Sequence, residues 1–137
     1  MDPGANMEKD SQLAQQVREG KAPLRLRLYG WNRPAVSLGR RQPLRELPPD
    51  LLAMPLVRRP TGGGAVVHSE EELTYALAVS REALPEDIPL KRLTRELHGF
   101  LQKLLIERGA VSEGSFLSPV EVPALILSVF QPLWKGI

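Results

Sequence analysis

The sequence of 137 residues has no cysteine, only two histidines and 5% aromatic residues. Without cysteine this chain offers no disulfide, no cysteinyl metal ligand and no thioester acyl-enzyme. His98 has no carboxylate or second histidine at ligand spacing, and Glu70, Glu71 and Glu72 read as a solvated turn, so no metal site is expected. No apolar run reaches the ~20 residues that cross a bilayer, and no apolar core flanked by basic residues marks a secretory signal. A cytoplasmic protein with no membrane partner is the expectation. Charge of one sign is also scarce: 18 Lys and Arg against 16 Asp and Glu leave +2, which is no argument for nucleic acid. The 42% hydrophobic and 25% charged content suits one ordinary domain with a single core. Positive charge does gather in the first half, at Arg25, Arg27, Arg33, Arg40, Arg41, Arg45, Arg58 and Arg59. Shared on one face, it would favour an anionic ligand or an acidic partner; scattered, it is a solvated set.

Residues 6–19 can form a helix, with Met7, Leu13, Ala14 and Val17 near one face and Gly20 to stop it. Leu24, Leu26 and Leu28 then alternate with Arg25 and Arg27, the period of a half-buried strand. Tyr29 to Pro34 breaks the pattern and Val36 and Leu38 resume it, which predicts an antiparallel hairpin. Trp31 at its tip either closes over a ligand or caps a core edge. Pro43, Pro48, Pro49 and Pro55 confine the next segment to short helical turns around Leu44–Leu47 and Asp50–Ala53. In Leu73 to Val79 both faces are apolar or small, as in a central strand covered on both sides. The clearest helix spans residues 89–108, where Leu90, Leu93, Leu97, Phe100, Leu101, Leu104 and Leu105 follow the 3.6-residue period and Gly109 suits the stop.

The chain is organised around Arg58-Arg59-Pro60-Thr61-Gly62-Gly63-Gly64-Ala65-Val66-Val67-His68. Glycine accepts positive φ at no steric cost and lets a ligand touch the backbone, so successive N–H groups can converge on a phosphate or carboxylate. Arg58 or Arg59 would add a forked, permanently charged donor to the same anion. The other reading is a flexible hairpin turn between strands Met54–Arg58 and Ala65–His68, with the arginines in solvent. His68 either donates to a ligand or satisfies a backbone carbonyl.

The wording of this stretch closely resembles the signature loop of the lipoate-protein ligase and octanoyltransferase family, which shares its catalytic fold with biotin-protein ligases. The resemblance extends upstream to Asn6-Met7-Glu8-Lys9-Asp10, to Leu26-Arg27-Leu28-Tyr29-Gly30-Trp31, and to Pro34 through Gly39 with Gln42; downstream it includes Leu73-Thr74-Tyr75-Ala76-Leu77. It implies an α+β fold, a mixed, largely antiparallel sheet covered by helices. Residues 1–119 would form the N-terminal part of the catalytic domain and residues 120–137 a divergent apolar tail. In the family, a strand carrying a lysine in a glycine-flanked segment follows this region. Here the tail ends Leu133-Trp134-Lys135-Gly136-Ile137, so Lys135 is the candidate for that lysine and the expectation is a domain incomplete at its C-terminus.

The chemistry implied by the resemblance has two steps. Lipoate or octanoate attacks the α-phosphate of ATP with Mg2+ present, and the lysine ε-amine of a lipoyl carrier domain then displaces AMP. The carrier would belong to a 2-oxoacid dehydrogenase or a glycine-cleavage-type protein. Gly62, Gly63 and Gly64 would cradle the adenylate phosphate or the acyl carboxyl, Arg59 would neutralise it, and Thr61, Ala65 and His68 would line the pocket. Trp31 and Tyr75 are further candidates for its wall. In an octanoyltransferase the donor would instead be a carrier-protein thioester and ATP would not be needed. The alternatives are a non-catalytic relative that binds lipoate or its adenylate, and a chain that needs a complementing partner.

Overall fold

In the computed structural model, which describes residues 1–109 and the backbone of residues 125–130, the chain opens on helix α1, Pro3–Arg18. The Asp2 carboxylate accepts from the N–H groups of Gly4 (3.0 Å) and Ala5 (3.4 Å), and Pro3 occupies the first turn, where a missing donor costs nothing. This cap starts the helix at residue 3 rather than at the expected residue 6. The buried face carries Pro3, Asn6, Met7, Asp10, Ala14 and Val17. That is an unbroken helical stripe with two polar members.

Strand β1 (Leu24–Tyr29) and strand β2 (Ala35–Leu38) are followed by a short helical turn at Leu44–Glu46 and by helix α2 (Pro49–Leu52). Then come β3 (Leu56–Arg58), β4 (Val66–His68), β5 (Thr74–Ser80), helix α3 (Leu90–Glu107) and β6 (Leu125–Phe130). The strands make two mixed sheets, ordered β1-β5-β6 and β3-β2-β4. β5 is antiparallel to β1, with Leu26 opposite Leu77, and parallel to β6. β2 is parallel to β3 and antiparallel to β4, with Ser37 opposite Val57 on one side and Val66 on the other. The architecture is α+β, with β5 central and buried from Thr74 through Val79.

Two expected hairpins are corrected. β1 and β2 do not pair; they lie in different sheets. The link between them is drawn inward, because Trp31 is 3% exposed and joins Met7, Tyr29, Ala35 and Ala76 in one apolar cluster under α1. β3 and β4 do not pair either, since β2 runs between them. The glycine segment therefore crosses the end of β2 instead of closing a two-stranded turn.

The faces of β1 also differ from a simple leucine-in pattern. Arg27 and Tyr29 turn towards α1, where Arg27 donates to Asp10 Oδ1 (2.7 Å) and to the Asn6 carbonyl (3.0 Å), and Tyr29 Oη donates to Asp10 Oδ2 (2.7 Å). Leu24, Leu26 and Leu28 face the other side of the sheet and remain 48%, 40% and 46% exposed. On α3, His98 and Leu101 are buried and the His98 ring tilts against Tyr75, whereas Phe100, expected in the buried stripe, is 62% exposed. Leu93, Leu97, Leu101, Leu104 and Leu105 are buried or half-buried, so the expected stripe holds apart from Phe100. The arginines of the first half do not share one face: Arg27 turns to α1, Arg33 pairs with Asp2 at 2.7 Å, Arg58 ties down the turn after β2, and Arg59 folds back on the glycine segment. Among the described residues no helix is long and apolar enough to cross a membrane.

Candidate functional site

The loop from Pro60 to Ala65 is fixed by its surroundings. Arg40 N–H donates to the Thr61 carbonyl (2.8 Å), and Arg59 N–H donates to the Leu38 carbonyl (2.8 Å). A Cβ on Gly39 would stand 1.9 Å from the Gly63 carbonyl oxygen. Only glycine at 39 lets the end of β2 lie against the loop. Gly63 itself has φ +96°, a region that side chains rarely adopt. Gly62 and Gly64, by contrast, have open space where a Cβ would be, and all three loop glycines are exposed.

Both arginines clamp backbone. Arg58 Nη1 donates to the carbonyls of Gly39 (2.7 Å) and Gln42 (2.8 Å), tying down the turn after β2. Arg59 is 6% exposed and lies behind the loop. Its Nη2 donates to the carbonyls of Gly62 (3.0 Å) and Gly64 (2.8 Å), and its Nη1 to the carbonyl (2.8 Å) and Oγ (2.9 Å) of Ser37. With those carbonyls drawn back onto the guanidinium, the loop presents its other side to solvent. Burial lowers the affinity of Arg59 for its proton, although an arginine remains charged.

Behind Arg59 a polar network joins the two sheets. Ser37 Oγ, on β2, lies 2.7 Å from His68 Nε2, on β4. His68 Nδ1 lies 2.9 Å from Glu72 Oε1, which also accepts from Thr74 Oγ1, on β5, at 2.6 Å. Thr74 Oγ1 accepts in turn from Trp31 Nε1 at 2.9 Å. The Trp31 and His68 rings stack at 3.9 Å and 14°. Burial raises the Glu72 pKa, but the bonds from His68, Thr74 and the Ser69 backbone more than offset it and hold the carboxyl below the usual range. Glu70 and Glu71 are exposed as expected, but Glu72 is not part of a solvated turn.

The expected site residues thus fall into two layers. Thr61, Gly62, Gly63, Gly64 and Ala65 make the accessible loop; Arg59, His68 and Trp31 are buried behind it, at 6%, 1% and 3% exposure. Tyr75 is not in this group. Its side chain is on the opposite face of β5 from Thr74, towards α3, with a buried hydroxyl that burial pushes up to a pKa of about 12. Lys135 lies outside the described residues, as does the tail except for the β6 backbone. Sequence reasoning missed Ser37, Glu72 and Thr74. A signal existed for one of them: His68 and Glu72 are four residues apart across a tight turn, a spacing that lets two side chains meet.

Comparison with known proteins bears on this loop. A family model described as the lipoyl protein ligase A/B catalytic domain matches residues 2–114. The octanoyltransferase LipM of Moorella thermoacetica is 46% identical over 89 residues, covering 61% of this chain and 32% of that protein. Octanoyltransferase LipM of Geobacillus kaustophilus is 42% identical over 93 residues, 63% of this chain and 33% of the relative, and that of Anoxybacillus flavithermus is 39% identical over 92 residues with the same coverage. The chain spans about a third of the length of these relatives. With a match across more than half of its residues, the chain belongs to the lipoyl protein ligase A/B catalytic domain family.

Proposed function

We propose that this chain carries the acyl-binding part of an acyltransferase that delivers an octanoyl or lipoyl group to a lysine of a lipoyl carrier domain. One observation carries the reading: a loop of three exposed glycines, with open space at Gly62 and Gly64, whose carbonyls are turned back onto the buried Arg59. Backbone N–H groups fixed before the substrate arrives are what a developing oxyanion requires, and they do not have to reorganise during the reaction. Gly62, Gly63 and Gly64 would hold the acyl carbonyl or carboxyl, flanked by Thr61 and Ala65. Arg59 and His68 would act from behind the loop, as positioning residues.

The names of the relatives favour octanoyl over lipoyl, and a transferase over an adenylate-forming ligase. In the thioester route the carrier lysine amine attacks the acyl carbonyl, and the oxyanion forms against the loop. The C–S bond then breaks, and the released thiolate takes the proton that the amine gives up. No cysteine among the 137 residues can hold the acyl group between donor and acceptor. Within these residues transfer is direct; otherwise the nucleophile lies outside them, as on a complementing polypeptide. The adenylate route uses the same loop with ATP and Mg2+ as cosubstrates, and Lys135 is its candidate for stabilising the charge where carboxylate and α-phosphate meet. A chain that only binds the acyl group is the third outcome.

Intact-mass analysis of an apo lipoyl carrier domain separates these routes. The chain is incubated with an octanoyl carrier-protein thioester, or with octanoate or lipoate plus ATP and Mg2+. An octanoyl mass gain from the thioester without ATP is expected. A gain only with ATP moves the assignment to the ligase, and no gain from a folded chain that still binds the octanoyl donor leaves the binding role alone.

A further inference from the structure

The polar network behind the loop has a fixed direction. Arginine and the tryptophan indole can only donate, and an ionised carboxylate can only accept. Arg59 and Trp31 stand at one end of two hydrogen-bonded chains, and both chains terminate on Glu72 Oε1. Thr74 Oγ1, accepting from Trp31, has its hydrogen free for Glu72. Ser37 Oγ, accepting from Arg59, has its hydrogen free for His68 Nε2. His68 then carries its proton on Nδ1 and gives it to Glu72. Every donor meets an acceptor in this arrangement. In an imidazolium, Nε2–H would also point at Ser37 Oγ, occupy its second lone pair and deprive the serine hydrogen of its acceptor.

From this directionality we propose that Glu72 is a positioning residue for the glycine loop. By holding the Nδ1–H tautomer of His68, it turns the Ser37 hydroxyl so that its lone pairs face Arg59, which in turn grips the Gly62 and Gly64 carbonyls. Ser37, at 0% exposure, is a relay and not a nucleophile, despite its serine–histidine–carboxylate order. That the loop serves an acyl donor rests on the proposed function; the positioning itself does not. Glu72 thereby couples β5 of one sheet to the loop bounding the other, through groups that no substrate touches.

The test is long-range 1H–15N correlation of His68 in the intact chain, together with 15N relaxation of the loop, with no acyl substrate present. The expected result is a neutral His68 protonated at Nδ1, with Gly62–Gly64 order parameters near the rigid value of ~0.85. Glu72→Ala should mix the tautomers and lower those order parameters below ~0.6 while α1 keeps its own; Glu72→Gln, which retains an acceptor, should restore both. If Glu72→Ala does not fold, Ser37→Ala should loosen the loop equally and leave His68–Glu72 intact. An Nε2–H tautomer or an imidazolium in the unmodified protein would overturn the proposal, as would an ordered loop in Ser37→Ala or loosening of α1 to the same degree. Failure of acyl transfer in the carrier assay would leave this outcome unaffected, so the two readings fail separately.

Discussion

Arg27, half-buried within β1, and Arg59, buried just past the end of β3, close different circuits. Arg27 turns towards α1 and meets a carboxylate directly, Asp10 at 2.7 Å, with the Arg27 guanidinium carbon 3.9 Å from the centre of the Tyr29 ring. Among the described residues its side-chain partners lie on α1, on β1 and at Met1. Among the described residues Arg59 meets no carboxylate directly; Ser37 and His68 stand between it and Glu72, and its other amino group ends on loop carbonyls. A direct ion pair locks two elements together. A separated one leaves the guanidinium free to shape backbone, and it is this second arrangement that lies under the open glycines.

Breaking the direct pair should have the largest effect. Arg27→Ala leaves the Asp10 carboxylate buried without its partner and should destabilise by about 3–5 kcal/mol, read as a lowered urea midpoint. The loop should loosen only as far as the whole domain does. Arg59→Lys sharpens the contrast: one ammonium cannot span Ser37 and both glycine carbonyls, so one or two acceptors are stranded at about 1–3 kcal/mol each. Global stability should fall less than in Arg27→Ala, whereas Gly62–Gly64 order parameters should fall more. The reverse ranking would mean that the two arginines do the same work. Gly39→Ala forces the end of β2 off the Gly63 carbonyl and should cost about 1–3 kcal/mol by overpacking. It should also speed amide exchange at Arg40, whose N–H bonds Thr61.

The smallest effect is in pH dependence, where the two carboxylates have opposite signs. Glu72 has a folded pKa below its ordinary 4.5, so its contribution is complete above 4.5 and is lost as pH falls through the folded value. Asp10 has its pKa raised above 3.8 by burial, which the bonds from Tyr29 and Arg27 oppose without cancelling. Its contribution is complete below 3.8 and is lost as pH rises through the folded value. Denaturant midpoints followed down from neutral pH should therefore lose part of their acid decline in Glu72→Gln. In Asp10→Asn the decline should steepen.

Local features were legible in the sequence; partner choice was not. The α3 period, the doubly covered β5 and the glycine loop each reside in a few consecutive residues. The turn chemistry of Gly30, Asn32 and Pro34 signals a reversal, but it does not name the strand that comes next. β1 takes β5 as partner, more than forty positions on, with Leu24 opposite Val79. Buried polar groups are hidden for the same reason. Asn6 and Asp10 fit the helical stripe of Pro3, Met7, Ala14 and Val17 by spacing, but their burial depends on Arg27 and Tyr29 arriving from another element. Glu72 reads as the third member of an acidic turn until His68 and Thr74 are seen to converge on it. The family resemblance pointed to the loop, whereas physical spacing alone left it between an anion site and a turn.

The central claim is that the backbone of the glycine loop meets the acyl group. It is tested most directly by titrating the 15N-labelled chain with a non-transferable octanoyl thioester analogue and following the backbone amides. The account predicts that the largest shifts fall at Gly62, Gly63, Gly64 and Ala65, that they saturate, and that Arg59→Lys weakens them. Saturating shifts confined to the leucine face of β1, or to α3, with the loop amides unmoved, would contradict it.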